Sequence, residues 1–274
     1  MDFLASILEF LDYKIETPTL FGWFHIMWLV LTVAASVALC LWHKRSGSEN
    51  RVRRVVLTTA IIVIVLEIYK MINYSFSYEN GVTFDFQWYA FPWQFCSTPM
   101  YIGLLAGIFR KGKFHESLCA YLATFAMFAG LCVSIYPGDV FIETLGINIQ
   151  TMICHGSMIV IAVYLFFSGY VKLEHKTIVK AIPVFAVCVT IAMILNEVMY
   201  TFDIVGGETF NMFYISPYFD CTLPLYSMIH NAVPFPVNLI IYVVGFSAAA
   251  YIMLLIPMGI KKLHGLCTRK KVAA

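Results

Sequence analysis

Cys96 and His155 are two residues of this sequence that could together supply a nucleophile and its base. Cys96 lies at the beginning of an apolar run, where the positive end of a helix dipole favours a thiolate. An imidazole beside such a thiol takes up its proton, and the thiolate then attacks an acyl carbonyl. Asn196 or Glu67 could orient the imidazole, as the third residue of a catalytic triad does. This set predicts nucleophilic chemistry at a cysteine.

Other polar side chains fall inside apolar runs of the sequence, where each costs a few kcal/mol in lipid and therefore points to function. With the topology given below, all of them map to the outer half of the membrane, and we predict one polar site open toward the exterior. Each also has a structural alternative, since neighbours at i, i+3 can pair and an amide can bridge helices. The set is His25, Glu67, Lys70, Gln94, Cys96, His155, Asn196 and Glu197.

The elements that must hold these residues are seven apolar runs. Each run has about 17 to 23 residues, enough for a helix to cross a hydrocarbon core of about 30 Å. The sequence is 61% hydrophobic and 12% charged, which excludes a soluble globule. We predict an all-α membrane protein, a seven-transmembrane-helix bundle with helices in Phe21 to Leu41, Val55 to Asn73, Trp93 to Phe109, Ser117 to Tyr136, Ile147 to Phe167, Ile178 to Met199 and Pro236 to Ile256.

Positive charge predicts the orientation. Sixteen of the 18 Lys and Arg residues fall in four segments, which alternate with segments nearly free of positive charge. Basic loops stay in the cytoplasm, so the N-terminus is expected outside and the C-terminus inside. Residues 1–20 form an outer segment that reads as amphipathic, 21–260 the membrane domain and 261–274 a basic cytoplasmic tail. The net charge of +2 is explained by topology, so no nucleic-acid partner is expected.

The chain has eight cysteines, and one of them bears on Cys96. Cys221 falls in the long outer loop, where an oxidising exterior would allow a disulfide with Cys96 that removes the nucleophile. Whether Cys96 is free stays open at this point. No two histidines stand at a spacing such as i, i+4 that would anchor a metal, so we predict no metal site and no cofactor.

Several stretches, taken in order, resemble the YwaF-like family of bacterial multi-pass integral membrane proteins. The resemblance extends along nearly the whole chain and rests on Phe21 to His25, Glu67, Phe91 to Cys96, Pro137, His155 with Gly156, Asn196, Asn211 to Phe213 and Pro234 to Pro236. It implies a location in the bacterial cytoplasmic membrane. It also adds Asn211 to the residues expected to bind a ligand.

The same resemblance implies a distant similarity to eukaryotic membrane acyltransferases and hydrolases that act on lipids. In that branch a cysteine after a proline and a histidine two helices later form the proposed catalytic pair, and Cys96 and His155 match those positions. The chain departs from the usual pattern because Trp93 and Gln94 replace an aliphatic residue and a histidine before the cysteine. An extra imidazole near the thiol is therefore absent.

Two functions remain open from the sequence. The first is a lipid-directed acyltransferase or hydrolase in which Cys96 is the nucleophile, His155 the base and Asn196 the orienting residue. The alternative is a non-enzymatic binding or transport protein whose pocket holds a small polar ligand. In either case the substrate-binding residues are expected to be His25, Glu67, Lys70, Gln94 and Asn211, with membrane lipid as the surrounding partner.

Overall fold

The computed structural model describes residues 3–79, 81–138, 140–223, 226–230 and 232–272. Within these residues the chain forms ten α-helices and one two-stranded antiparallel hairpin. The helices are α1 Phe3–Leu11, α2 Trp23–Ser46, α3 Glu49–Ser75, α4 Thr98–Ile108, α5 Lys113–Ala123, α6 Phe125–Ile135, α7 Leu145–Phe167, α8 Lys176–Thr201, α9 Ser227–His230 and α10 Phe235–Val272; the strands are β1 Phe76–Ser77 and β2 Thr83–Phe84.

Six of the helical segments in the described residues are long and apolar enough to cross a membrane, which confirms the prediction of a multi-pass membrane protein. One of these spans, Lys113–Ile135, contains both α5 and α6 and is interrupted at Thr124. The hydroxyl of Thr124 donates to the carbonyl of Ala120 at 2.7 Å, which satisfies a backbone group at the break. The other spans are Trp23–Arg45, Glu49–Ser75, Leu145–Phe167, Lys176–Thr201 and Phe235–His264.

The third predicted crossing differs from its prediction. Its helix, α4, has only 11 residues and is about 16 Å long, roughly half of the hydrocarbon core. Pro99 explains where it begins, because proline lacks an N–H donor and is accepted in the first turn of a helix. The residues before it form turns, with the N–H of Ser97 donating to the carbonyl of Gln94 at 2.8 Å. The seven-helix count is therefore not confirmed.

The helix that carries His155, α7, lies at the centre of the bundle. It contacts α2, α3, α5 and α6. Close approach to α6 is made possible by Gly130, because a Cβ there would lie 2.6 Å from the carbonyl oxygen of His155. By contrast, α10 packs mainly against α6, α8 and α9 among the described elements, and few of its side chains are buried. Side chains of α7 are thus among the best enclosed of the described membrane spans, together with those of α5 and α6.

The N-terminal segment is attached to the connection before α7. The N–H of Ile15 donates to the carbonyl of Glu143 at 2.6 Å, and the N–H of Leu145 donates to the carbonyl of Tyr13 at 3.0 Å. Asp12 accepts hydrogen bonds from Lys14 and Thr144, both at 2.8 Å. These contacts hold α1 against the end of the bundle from which α7 begins.

Candidate functional site

Glu67, on α3, is the centre of a buried polar network. Its carboxylate forms a salt bridge of 2.5 Å with Lys70, one turn further along the same helix. It also accepts hydrogen bonds from Gln150 of α7 at 3.2 Å and from Ser97, just before α4, at 3.4 Å. The charge in the membrane is thus neutralised by Lys70 and hydrogen-bonded from two further elements, as a buried carboxylate requires.

Gln150 extends the network along α7. Its amide nitrogen lies 3.4 Å from the sulfur of Cys154, and its amide oxygen accepts from the hydroxyl of Thr151 at 3.4 Å. Thr151 lies one turn before His155 in α7, and Cys154 directly precedes His155. The network therefore connects Glu67 with the turn of α7 that carries the imidazole.

The imidazole of His155 has one ring nitrogen engaged and one without a partner. Nδ1 lies 2.7 Å from the carbonyl oxygen of Thr151, and because a carbonyl only accepts, Nδ1 carries the proton. In the neutral ring Nε2 then holds the lone pair. Nε2 is buried and has no hydrogen-bond partner in the described part of the chain. This is the tautomer and the available lone pair that a general base needs.

Cys96 is a free, partly buried thiol in the turn before α4. Among the described residues, no hydrogen bond joins the Cys96 thiol to the His155 ring. The link between Cys96 and the Glu67 network is the next residue, Ser97, whose hydroxyl contacts Glu67 directly. Cys221 is likewise a free thiol, so the disulfide that would have removed the nucleophile is not formed.

Three of the predicted site residues, Asn196, Gln94 and Asn211, bind the long loop that follows α8. Asn196 donates to the carbonyl of Met212 at 3.0 Å and accepts from its N–H at 2.7 Å. Gln94 accepts from the N–H of Phe213 at 2.9 Å and donates to the carbonyl of Asn211 at 3.0 Å.

Asn211 in turn accepts from the N–H of Ser216 at 2.9 Å. These amides hold the loop where Phe213 and Tyr214 have φ of 61° and 57°, a costly backbone region for side-chain-bearing residues. The structure therefore places Asn196 at the loop, while the carbonyl of Thr151 orients His155.

His25 is also separate from the network. Its Nε2 lies 2.8 Å from the carbonyl oxygen of Ser134 on α6, and its Nδ1 accepts from the N–H of Phe21 at 3.0 Å. The ring is fully buried and stacks on Phe21, with 5.3 Å between the ring centroids. Both ring nitrogens are thus occupied by backbone groups, and His25 connects the start of α2 with α6.

Residues that sequence reasoning did not select complete the network. Ser97, Gln150, Thr151 and Cys154 are all polar or polarisable, and the last three lie in the same apolar run as His155. Gln150 could have been selected from the sequence, because placing an amide inside an apolar run costs free energy in the same way as placing the selected polar residues there.

An apolar groove opens beside Glu67, between the C-terminal half of α3, α4 and the β1–β2 hairpin. Its volume is about 320 Å³, and its walls include Ile64, Ile68 and Ile72 of α3 and Leu104 of α4. Among the residues that the structure describes, no group of three or more His, Cys, Asp and Glu side chains lies close enough to hold a metal ion.

Comparison with known proteins gives one match. The family model of the TMEM164 family, a membrane-protein family, matches residues 20–257, which is nearly the whole chain. No curated protein and no solved structure matches the sequence. The expected YwaF-like assignment and the similarity to lipid acyltransferases are not confirmed by this match and remain predictions. The chain belongs to the TMEM164 family.

Proposed function

We propose that this protein is a lipid-directed cysteine acyltransferase or acyl hydrolase, with Cys96 as nucleophile and His155 as base. The observation that carries the proposal is the Nε2 lone pair of His155, which is buried, has no partner among the described residues, and belongs to a ring whose other nitrogen is held by Thr151. A free thiol, Cys96, directly precedes Ser97, whose hydroxyl donates to Glu67 of the same polar network.

The reaction would proceed in two balanced steps. His155 Nε2 takes the proton of the Cys96 thiol, the thiolate sulfur forms a bond to the acyl carbon of a lipid ester, and the ester C–O bond breaks as the leaving alkoxide takes the proton from the imidazolium. In the second step an acceptor hydroxyl or water attacks the thioester, its proton passes to Nε2, and the S–C bond breaks. The proton then returns to sulfur, and the free thiol is restored.

Of the neighbouring charges, the Lys70 ammonium favours the first step, whereas the Glu67 carboxylate opposes it. A thiolate is the nucleophile, and a nearby ammonium such as that of Lys70 favours it over the thiol. Glu67 holds Lys70 in place through their 2.5 Å ion pair, and Ser97 attaches the turn of Cys96 to the same carboxylate. Positioned general bases typically accelerate such steps by about 10² to 10⁴.

Location and topology belong to the same proposal. We place the N-terminus outside and the C-terminus in the cytoplasm of a bacterial cell, with the short helix α4 as the central part of a seventh segment in the bundle. The basic connectors between the spans support this orientation. The network around Glu67 then lies in the outer half of the membrane.

A covalent labelling experiment tests the chemistry. The purified protein in detergent micelles is incubated with a lipid ester whose acyl chain carries an alkyne, and the label on the protein is read by gel and by peptide mass spectrometry. We expect a hydroxylamine-sensitive label on Cys96 that Cys96→Ala abolishes and His155→Ala reduces by about 10² or more. Cys221→Ala is the matched control and is expected to label like the wild type. Equal labelling of Cys96→Ala would reject Cys96 as the nucleophile.

One observation favours a second function, the binding of a small polar ligand. The Glu67 carboxylate lines the groove, so a polar group of a ligand could meet it there without any reaction at sulfur. Ligand-dependent thermal stabilisation that persists in Cys96→Ala, together with absence of any acyl label in the wild type, would support binding over catalysis.

A further inference from the structure

We propose that the groove beside Glu67 is the site that holds the acyl chain of the lipid ester, with the ester group beside Glu67, where Ser97 contacts the carboxylate. The inference rests on the proposed acyl transfer at Cys96 and assigns it a route by which substrate enters from the bilayer.

The groove has the dimensions of a single chain. From Ile64 to Ser75 it follows 11 residue steps of α3, about 16 Å at 1.5 Å per residue. That is about half of a hydrocarbon core of about 30 Å, which is the depth of one leaflet. The volume of about 320 Å³ lies at the lower end of small-molecule pockets, so it suits one chain better than a complete lipid.

The walls have the chemistry of a chain-binding surface. Ile64, Ile68 and Leu104 stand along the helices, and the aromatic rings of Phe84 and Phe86 close the end near the hairpin. Among the described residues that line the groove, only Glu67 carries a formal charge, and its carboxylate is already bonded to Lys70 and Gln150. An acyl chain would bury apolar surface here without leaving a polar wall group unpaired.

The position of the groove in the membrane indicates which class of molecule can bind in it. It follows the C-terminal half of α3, which is a membrane-spanning helix of 27 residues, and Ile68 beside it is 55% exposed. A side chain so exposed in a span faces lipid hydrocarbon, so the molecule that reaches the groove is a lipid already in the membrane. A soluble peptide or nucleotide would have to bring its polar groups into hydrocarbon, at several kcal/mol for each unsatisfied group.

The groove leads toward the proposed nucleophile. Ser97 donates to Glu67 at 3.4 Å, and Ser97 directly follows Cys96 in the chain. A carbonyl placed beside Glu67 would therefore lie near the turn that carries the thiol, although neither Cys96 nor Ser97 lines the groove. Glu67 stands one turn of α3 from Ile64 and two turns from Ser75, so the chain would extend from the ester toward the hairpin, where Phe84 and Phe86 would limit its length.

Photocrosslinking tests the site independently of catalysis. A phospholipid with a diazirine in its acyl chain is incorporated into vesicles that contain the Cys96→Ala protein, irradiated, and the crosslinked peptides are mapped by mass spectrometry. We expect crosslinks on residues 64–75 and 100–104. A second substitution that fills the groove, Ile68→Trp or Leu104→Trp, is expected to reduce them by about tenfold. Val65→Trp is the matched control, because Val65 is 59% exposed on the same helix and does not line the groove.

The outcomes separate this inference from the proposed function. Crosslinks that map elsewhere, or a yield that Ile68→Trp and Leu104→Trp leave unchanged, would overturn the groove as the chain site even if Cys96 is acylated in the wild type. Crosslinks in the groove that both substitutions suppress, while Val65→Trp does not, support the site even if no acyl-cysteine forms. Thermal melting of each variant verifies that the fold is retained.

Discussion

The Nδ1 atom of His155 donates a hydrogen bond of 2.7 Å to the carbonyl oxygen of Thr151, one turn earlier in α7. This single contact fixes both the orientation of the ring and its tautomer, so that Nε2 is the basic atom. A backbone carbonyl performs here the orienting role that sequence analysis assigned to Asn196 or Glu67. A side-chain substitution at Thr151 would leave that carbonyl in place.

The first prediction concerns the reactivity of the Cys96 thiol. If Nε2 of His155 takes the proton from sulfur, His155→Gln should slow the alkylation of Cys96 by an iodoacetamide probe at neutral pH by at least about tenfold, because less thiolate is present. The rate is measured at the Cys96 peptide by mass spectrometry. His43→Gln is the control, since His43 contacts Tyr164 at 3.1 Å and stands near the other end of the bundle. An unchanged rate in His155→Gln would show that the imidazole does not activate this thiol.

The second prediction concerns the buried ion pair. Glu67→Gln leaves the Lys70 ammonium without its counter-charge in a side chain that is only 17% exposed, and removing one partner of such a pair costs about 3 to 5 kcal/mol. We expect a corresponding fall in the free energy of unfolding in detergent. The double variant Glu67→Gln with Lys70→Met should recover much of the loss, because no charge is then left buried.

An exposed ion pair is the control for that measurement. Lys180 and Glu116 lie 2.7 Å apart, and their side chains are 39% and 53% exposed. Glu116→Gln should therefore cost no more than about 1 kcal/mol. Equal losses at Glu67 and Glu116 would contradict the view that the Glu67 pair is a buried centre.

The sequence allowed the membrane class and part of the network to be predicted. Glu67, Lys70 and His155 could be found because ionisable groups in apolar runs are rare and expensive. The amides of Gln94 and Asn196 carry the same signal, yet their partners are backbone groups of a distant loop, and no sequence pattern identifies such partners. For this reason the sequence could not show that Gln94 and Asn196 bind the loop after α8 and do not belong to the polar network around Glu67.

The short length of α4 could not be predicted from the sequence for a different reason. Hydropathy measures the length of an apolar run, and Trp93 to Phe109 is long enough to cross a membrane. It does not show at which residue the backbone becomes helical. Pro92 and Pro99 were the available signal, since proline accommodates turns and first helical positions better than helix interiors. As a consequence, Cys96 lies in the turn before α4, outside the helix.

The third prediction concerns the contact between α6 and α7. A Cβ at Gly130 would lie 2.6 Å from the carbonyl oxygen of His155 and 2.9 Å from the Cβ of Met158, so Gly130→Ala must push the two helices apart. We expect a loss of stability of about 1 to 3 kcal/mol and reduced labelling of Cys96, because the displaced turn carries the imidazole. Melting temperature and probe labelling measure the two effects.

Its control is a glycine with free space around it. At Gly245, in α10, an added Cβ meets no atom within 4 Å. Gly245→Ala should leave labelling unchanged and stabilise the helix by up to about 1 kcal/mol, because alanine is the better helix former. A Gly130→Ala protein as stable and as readily labelled as Gly245→Ala would show that the helix contact does not position His155.

The last prediction concerns pH and the attachment of the N-terminal segment. Burial raises the pKa of Asp12, but hydrogen bonds from Lys14 and Thr144 and the charge of Lys14 outweigh it, so the pKa is lowered below the usual value. A depressed pKa stabilises the folded state at pH values above the unfolded pKa of about 3.9, and that stability is lost as pH falls through the folded pKa. Wild type should therefore lose melting temperature more steeply than Asp12→Asn as the pH falls below about 4. Identical pH profiles for the two proteins would show that the carboxylate does not hold this segment to Thr144.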